Sequence, residues 1–549
     1  MCFQSKPFLV LSFVILLSLP AVDSCANAES LATDSPAVPN DAELAARQAR
    51  IGRIDIQVDD VFEGAHLATP YRLVNALHID SRPATIAVQL LFHSGDLYER
   101  RVLDETERLL RGQRYLNGAT IQPIEYHEDT NTVDLSVRVH DVWTLSSGFS
   151  YGRKGGANNS SVEIEENNLL GFGKRIELAF SNNVDRSSSQ VRYYDPNVLG
   201  SRWRLSTAYA SSSDGAEKTI DVMHPFYALD TRWSADVFAT DTNEAVSRYS
   251  HGEIVEQFSM HKSAYELGGG ISDGLDNGWV RRFMGGVRYQ SREFTPYHQQ
   301  AASIPEDRVV TYPWLGLELL EDKFLKTQNL DLIGRTEDIH LGGAAYVEAG
   351  YAAKAFGSTE SAFILHSNLS FGSEFGERQY VLSAVGAEGR IGHGTIDNGI
   401  FDFSSRYFFR QTPHSVFYAS ASATVTSNLD PEAQLLLGGD NGLRGYPLRY
   451  QAGTSRALVT AEERLYTNWQ PLKLFTVGAA AFVDVGRTWG HDEFGGEQFG
   501  WLKDVGIGLR LGNARSALGN VLHIDLAFPL DGPTDIAKLQ VVVETKRSF

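Results

Sequence analysis

The side chains best placed for specific chemistry lie in the run Leu437-Gly438-Gly439-Asp440-Asn441-Gly442-Leu443-Arg444-Gly445-Tyr446-Pro447. Small and turn-forming residues crowd in front of one arginine and Gly-Tyr-Pro follows it, so the segment describes a loop that changes direction several times and presents a cation. Left in water, Arg444 would do little; folded inward, it would need a carboxylate. Asp484, in Phe482-Val483-Asp484-Val485-Gly486, lies on the polar face of a strand whose other face is apolar, and is one candidate. Glu462, in phase with Arg464 on the preceding strand, is another. An arginine–carboxylate pair in a confined site is charge-assisted and can be bidentate, so it fixes geometry as well as adding energy. The expected chemistry is a lock that pins a loop, with no bond made or broken.

Patterns for bond-making chemistry are weak. Gly270-Ile271-Ser272-Asp273-Gly274 matches a nucleophile elbow by letters, but that motif needs a buried strand before it and a helix after it. Here Gly268-Gly269 precede it and Leu275-Asp276-Asn277-Gly278 follow, which is hairpin-turn material. Gly171-Phe172-Gly173-Lys174 lacks the third glycine and the following helix of a nucleotide loop. The 15 histidines are scattered without a metal-binding spacing. No metal or cofactor is therefore expected, and the chain is not expected to be an enzyme. A formal net charge of -19 leaves no basic excess to neutralise phosphates, so nucleic acid is not an expected partner.

The elements that must hold such a lock begin after an export signal. Lys6 precedes an apolar run from Phe8 to Val22, and Ala26-Asn27-Ala28 supplies a small-x-small cleavage site, so residues 1–28 read as a signal peptide. Both cysteines, Cys2 and Cys25, lie before that cut, which leaves the mature chain without thiols. Asp23 makes a lipid attachment at Cys25 a poor fit. Residues 29–50 read as a linker in which Asp41–Arg47 could form a short helix. Residues 51–143 follow the order strand, helices, strand, strand. Tyr98, Val102, Leu103, Leu109 and Leu110 recur at helical spacing. Strands over Thr120–Tyr126 and Val133–Val139 flank the turn residues Asp129-Thr130-Asn131.

From residue 144 to 549 strand-length segments alternate apolar and polar residues, separated by Gly, Asn, Asp and Ser. Alternation alone also fits a soluble sandwich. The pattern runs too long for one such domain, however, and no apolar stretch after Val22 could cross a membrane as a helix. Aromatics near segment ends, Tyr193, Tyr194, Trp203, Tyr209, Tyr407 and Tyr466, suit an interfacial girdle, and the chain closes on a strand ending in Phe549. The fold class expected is mainly β: a transmembrane antiparallel β-barrel behind a small α/β domain. Allowing each strand and turn its usual length gives about 16 to 20 strands, and the even-number habit favours 16 or 18.

Gly-Leu-Arg-Gly-Tyr in a loop is followed by the strand Ala481-Phe482-Val483-Asp484-Val485-Gly486-Arg487-Thr488-Trp489. Then come Val505-Gly506-Ile507-Gly508-Leu509-Arg510 and a strand ending Ala527-Phe528-Pro529-Leu530. Together with Glu166-Asn167-Asn168-Leu169-Leu170-Gly171-Phe172-Gly173 near the start of the barrel, these resemble the bacterial outer-membrane assembly-factor superfamily. That superfamily, also called the bacterial surface antigen family, includes the Bam and Tam insertases and two-partner secretion transporters. The resemblance implies a barrel of about 16 strands, with residues 51–143 as a single POTRA-like periplasmic domain where those relatives carry more than one. It also implies Arg444 as the loop arginine, flanked by Gly445 and Tyr446, Asp484 as its partner, and Phe549 as the terminal aromatic of a targeting signal. The implied location is the bacterial outer membrane with the N-terminal domain in the periplasm, and the implied partners are outer-membrane lipids and unfolded periplasmic client proteins. The function implied is assistance to protein insertion, assembly or translocation there, through a weak seam between first and last strands and edge pairing in the small domain along Val133–Val139. The alternatives are a transporter dedicated to one passenger and, last, a passive porin-like channel.

Overall fold

The computed structural model describes residues 38–62, 68–298, 303–471, 475–495, 499–513, 521–533 and 536–546; the leader expected at 1–28 and Phe549 lie outside them. Helix α1 (Asp41–Ala46) starts on a capping box. The Asn40 side chain accepts from the Glu43 backbone N–H at 3.0 Å, and Glu43 accepts from the Asn40 N–H at 3.2 Å. There follow β1 (Arg50–Asp59), α2 (Thr69–Leu77), α3 (Pro83–Ala87), α4 (Arg100–Arg111), β2 (Leu116–His127) and β3 (Thr132–Asp141). The sheet order is β1-β3-β2, with β1 parallel and β2 antiparallel to β3. Leu103 and Leu110 of α4 pack with Leu44, Ile51 and Ile121 onto Val133, Leu135, Val137 and Val139.

That packing corrects one expectation. Val133–Val139 is no edge: β3, the most apolar strand, is bonded on both sides. A strand buried on both flanks and one face is the natural place for a run of valines, and the outer strands are β1 and β2.

Among the described residues, twenty antiparallel strands close into a barrel, from Leu145–Lys154 to Gln540–Lys546. The expected count of about 16 is therefore too low. Several reversals need only two residues, as between Ser250 and Glu253 or Asp276 and Trp279, so less chain goes to loops than the usual allowance. Large apolar side chains point away from the barrel along its wall, including Phe180, Leu267, Ile271, Leu315, Phe363 and Ile507. Their neighbours point inward into ionic clusters: Arg288 donates to both oxygens of Glu266 at 2.8 Å and to Glu348 at 2.7 Å. Tyr209 faces outward as an interfacial residue would, whereas Tyr466, expected in the same girdle, is buried inside.

Tyr466 faces a hairpin that the alternating pattern conceals. Residues 322–342 connect two wall strands but fold into the barrel as the pair Phe324–Gln328 and Thr336–His340. Leu330 and Ile333 at its tip are buried against Tyr380, Phe408, Val416, Tyr466, Ala480 and Val521, which come from six other wall strands. The Arg464 guanidinium donates to the Leu330 carbonyl at 3.0 Å, and Arg406 pairs with Asp331 at 2.9 Å. The opposite face of the hairpin meets the small domain. Arg111 donates to both oxygens of Asp338 at 2.7 and 2.8 Å, and Lys326 pairs with Glu107 at 3.2 Å. Other turns at this end also bind the domain. Thr85 Oγ1 donates to the Gly171 carbonyl at 2.8 Å, Arg202 donates to the Leu90 carbonyl at 2.8 Å, and Glu105 accepts from the Leu229 N–H at 2.7 Å. The small domain is thus keyed to the end of the barrel that the hairpin closes.

Glu337, buried in the hairpin, accepts from the backbone N–H groups of Leu330 and Asp331 at 2.9 and 2.8 Å. Burial pushes its carboxyl up to about 7, against the pull of those donors. An acid whose folded value lies above its unfolded one binds its proton more tightly in the native state. Hairpin docking therefore strengthens as pH falls from about 7 toward the ordinary glutamate value of about 4.3. Amide exchange at Leu330 and Asp331, corrected for intrinsic rate, is expected to be slower at about pH 5.5 than at about pH 8. In Glu337→Gln that difference should vanish.

Candidate functional site

Four consecutive wall strands, β4 (Ser455–Tyr466), β5 (Thr476–Trp489), β6 (Leu502–Gly512) and β7 (Val521–Pro529), build the site, and the loop 428–454 folds inside the barrel to meet them. Arg444 reaches Asp484 bidentately, Nε to Oδ2 at 2.7 Å and Nη2 to Oδ1 at 2.9 Å. Its Nη1 donates to Glu462 Oε1 at 2.8 Å and to Asp525 Oδ2 at 3.3 Å. The guanidinium lies over the Phe482 ring, 3.3 Å from its centroid, which adds a cation–π contact in a desolvated place. Burial opposes the charge, but Asp484, then Glu462 and Asp525, outweigh it and hold Arg444 above the ordinary arginine value.

The residues beside Arg444 extend the grip. The Gly445 N–H donates to Asp504 at 3.0 Å. The Tyr446 hydroxyl donates to the carbonyls of Lys503 and Asp531 at 2.8 and 3.1 Å and accepts from the Lys503 N–H at 3.1 Å. Burial pushes that phenol up to about 12, so it remains a neutral donor. The sequence candidates Arg444, Gly445, Tyr446, Glu462 and Asp484 are thus brought together.

Sequence reasoning missed the rest of the cluster. Asp504 stands opposite Asp484 in the strand register, and Thr460, also opposite Asp484, donates to it at 2.7 Å. Asp525 pairs with Arg510, and Arg464 donates to Glu462 Oε2 at 3.0 Å. A signal was present for Asp525: it shares a face with His523 and Ala527, opposite Leu522, Ile524, Leu526 and Phe528. The Gly-x-Gly of β6 also has a reason, since a Cβ at Gly508 would come within 1.8 Å of Asp525 Oδ1. Only a bare backbone lets that carboxylate lie flat on the wall.

The loop touches far more than these strands. Asp430 accepts from Arg390 and Arg308 at 2.9 Å, and Arg292 pairs with Glu432 at 3.1 Å. Arg449 grips Asp185 at 2.6 and 2.7 Å, and Gln434 accepts from the Tyr249 N–H at 2.7 Å. The loop therefore spans the lumen from wall to wall.

It also reaches both sides of the joint between the last strand and the first. Among the described residues, Val543 opposite Arg153 is the registered pair there, backed by an ion pair of Lys154 with Glu544. By contrast, the first two strands pair continuously from Leu145 with Glu166 to Lys154 with Ala157. Tyr446 binds the connection to the last strand through Asp531, while the tip of the first hairpin, Gly155, sits under Pro447 and Leu448. Gly155 has φ +51°, and a Cβ there would lie 2.3 Å from the Leu448 nitrogen, so glycine is required both for conformation and for space.

Ser272, in the elbow-like run, is part of a hairpin strand. Its hydroxyl donates to the Arg281 carbonyl at 2.8 Å and accepts from the Gly274 N–H at 3.0 Å.

No family model and no curated protein matches the sequence. Solved structures similar to it include CdiB from Acinetobacter baumannii, at 13% identity over 92% of this chain and 74% of that one, TM-score 0.47. CdiB from Escherichia coli is similar at 15% identity over 91% and 76%, TM-score 0.47. The crystal structure of BamA from Haemophilus ducreyi lacking POTRA domains 1-3 is similar at 11% identity over 91% and 85%, TM-score 0.38.

Removing Arg444 strands buried carboxylates. Arg444→Ala is expected to cost about 3–5 kcal/mol, as for one partner lost from a buried ion pair. Arg444→Lys should recover only part of that, because an ammonium cannot bridge Asp484 bidentately. Denaturant titration of the detergent-solubilised protein measures the loss, and limited proteolysis between residues 438 and 450 should cleave the alanine variant first.

Proposed function

We propose that this chain is an outer-membrane β-barrel protein, with its small POTRA-like domain in the periplasm, that assists insertion, assembly or translocation of proteins at the bacterial outer membrane. The apolar outward wall supports the membrane setting, because a closed barrel satisfies its backbone internally and can face hydrocarbon. The observation that carries the functional reading is the seam. Among the described residues it carries one registered pair, whereas the strands flanking it each pair with their other neighbour along their length. A joint of that kind can part at low cost and expose two strand edges, which template an incoming strand.

On this reading loop 428–454 is the clasp. It holds the first hairpin and the last connection together while Arg444 holds the loop. The small domain receives the client by strand addition. Of its outer strands, β2 carries Pro123 and is bonded at Ile121 by Arg100 and Glu107 from α4, while β1 is bonded at Ile51 by Gly95 and Asp96, which makes β1 beyond Ile51 the suitable edge. Client folding drives the process, and no chemical step is assigned to the chain. A transporter dedicated to one passenger uses the same parts. A passive channel is disfavoured, since the hairpin and the loop both cross the lumen.

Two measurements test this. Pairing Arg153→Cys with Val543→Cys should give a disulfide across the seam that abolishes activity when oxidised and restores it on reduction; full activity of the locked form would end the seam mechanism. Proteomics of outer membranes depleted of the protein should show several barrel proteins lowered together. Loss of one secreted protein alone would instead select the dedicated transporter.

A further inference from the structure

Two neighbouring turns at the domain-proximal end repeat one pattern, Asn168-Leu169-Leu170-Gly171 and Asn197-Val198-Leu199-Gly200. Each forms a single 3₁₀ turn with its second apolar residue in the left-handed region, Leu170 at φ +54° and Leu199 at φ +53°. A leucine is a poor choice there, because its Cβ crowds the following carbonyl; glycine or asparagine would fit a water-facing turn. What the conformation achieves is to point the side chains out. Leu199 is 99% exposed and Leu170 is 54% exposed.

More apolar surface gathers at the same place. Phe172, after the first turn, is exposed and has Arg82 stacked on its ring at 3.9 Å. The Arg82 backbone N–H donates to the Gly171 carbonyl at 3.1 Å, and the Asp80 carbonyl lies 2.5 Å from where a Cβ at Gly171 would stand. The segment between α2 and α3, with Ile79 beside it, is thereby brought to this turn. On α2, Leu73 and Leu77 share one face four residues apart, and with Ile79 just beyond the helix all three are exposed. Scattered exposed leucines need no explanation, but a contiguous group on two turns and a helix does. This group continues the apolar outer wall, since Ile176 and Leu178 follow Phe172 on the adjoining strand and face outward. Trp203 and Trp233 stand beside the second turn in edge-to-face contact at 6.2 Å, the kind of pair that marks headgroup depth.

We infer that Leu73, Leu77 and Ile79 of the small domain, with Leu170, Phe172 and Leu199 of the barrel, form one lip that is immersed in the headgroup–acyl boundary of the bilayer. The partner is the lipid leaflet nearest the small domain. The inference rests on the membrane reading of the barrel and adds that the small domain, already keyed to the end of the barrel, also touches the lipid surface through this lip. A helix with an apolar face of this kind lies in the plane of such a boundary.

Nitroxide labels at Leu77→Cys, Leu170→Cys and Leu199→Cys test it in the full chain reconstituted into phosphatidylethanolamine–phosphatidylglycerol vesicles. Gln57→Cys on the exposed side of β1 is the water reference, and Leu315→Cys on the outer wall is the lipid reference. Collision with dissolved oxygen relative to a water-soluble nickel chelate should be several-fold higher at positions 77, 170 and 199 than at 57. Values at those three positions equal to position 57, with position 315 still in lipid, would overturn the lip alone. A water-like value at 315 would overturn the membrane reading beneath it.

Discussion

A guanidinium taken out of water must meet carboxylates in good geometry or the structure does not persist, and the burial of Arg444 sets this demand at the centre of the barrel. Its consequences can be followed outward. Asp484, Glu462 and Asp525 must sit on three different strands at one height, so the register of the wall from β4 to β7 is fixed by a single side chain that belongs to none of them. Phe482 must lie flat beneath the cation, which requires small residues on the neighbouring strand. Loop 428–454 in turn cannot leave the lumen without uncovering buried acids.

The same ionic logic links the two ends of the molecule. Arg444 shares Glu462 with Arg464, and Arg464 holds the Leu330 carbonyl at the tip of the inner hairpin. The base of that hairpin is held through Asp338 by Arg111, which also donates to Glu107 within α4 at 3.0 Å. Loop, wall, hairpin and small domain are thus in contact through directional bonds. The small domain also holds the wall directly, since Arg114 donates to Glu165 on the strand Ala157–Glu166 at 3.1 Å, so a rotation of the domain would load the hairpin and the wall together.

Much of this was legible in the residues, and the limits have a physical cause. Asp484 could be named because phase within a strand decides which way a side chain points, and its neighbours on the other face are all apolar. Asp504 and Asp525 have equally clear phases, yet which acid stands beside which depends on register between strands, and a period of two carries no information about sliding by two residues. The inner hairpin escaped notice because a β-ribbon packed in a lumen alternates like a β-strand facing lipid. Tyr466 was misplaced for the same reason, since an aromatic near a strand end suits a girdle or an inner core equally. Val133–Val139 read correctly as a strand, but its central position follows from partners at 50–59 and 116–127 that pairing alone reveals. The strand count failed on turns of two residues, shorter than composition suggested.

The weak joint and the strong lock belong to one design. Closing a barrel forces the first and last strands to meet whatever their lengths, and among the described residues one registered pair, Val543 with Arg153, joins them here. Such a joint would leave strand edges unsatisfied unless something else held the walls at the right distance. Loop 428–454 does so from inside: Tyr446 is fastened on one flank, Gly155 is covered on the other, and Arg444 anchors the span to three wall strands through Asp484, Glu462 and Asp525. Stability is thereby moved from the joint, where hydrogen bonds between strands would have to break all at once, to a loop whose contacts are separate side chains that can be released in turn. On the proposed function, this is what would let the joint open without melting the sheet on either side of it.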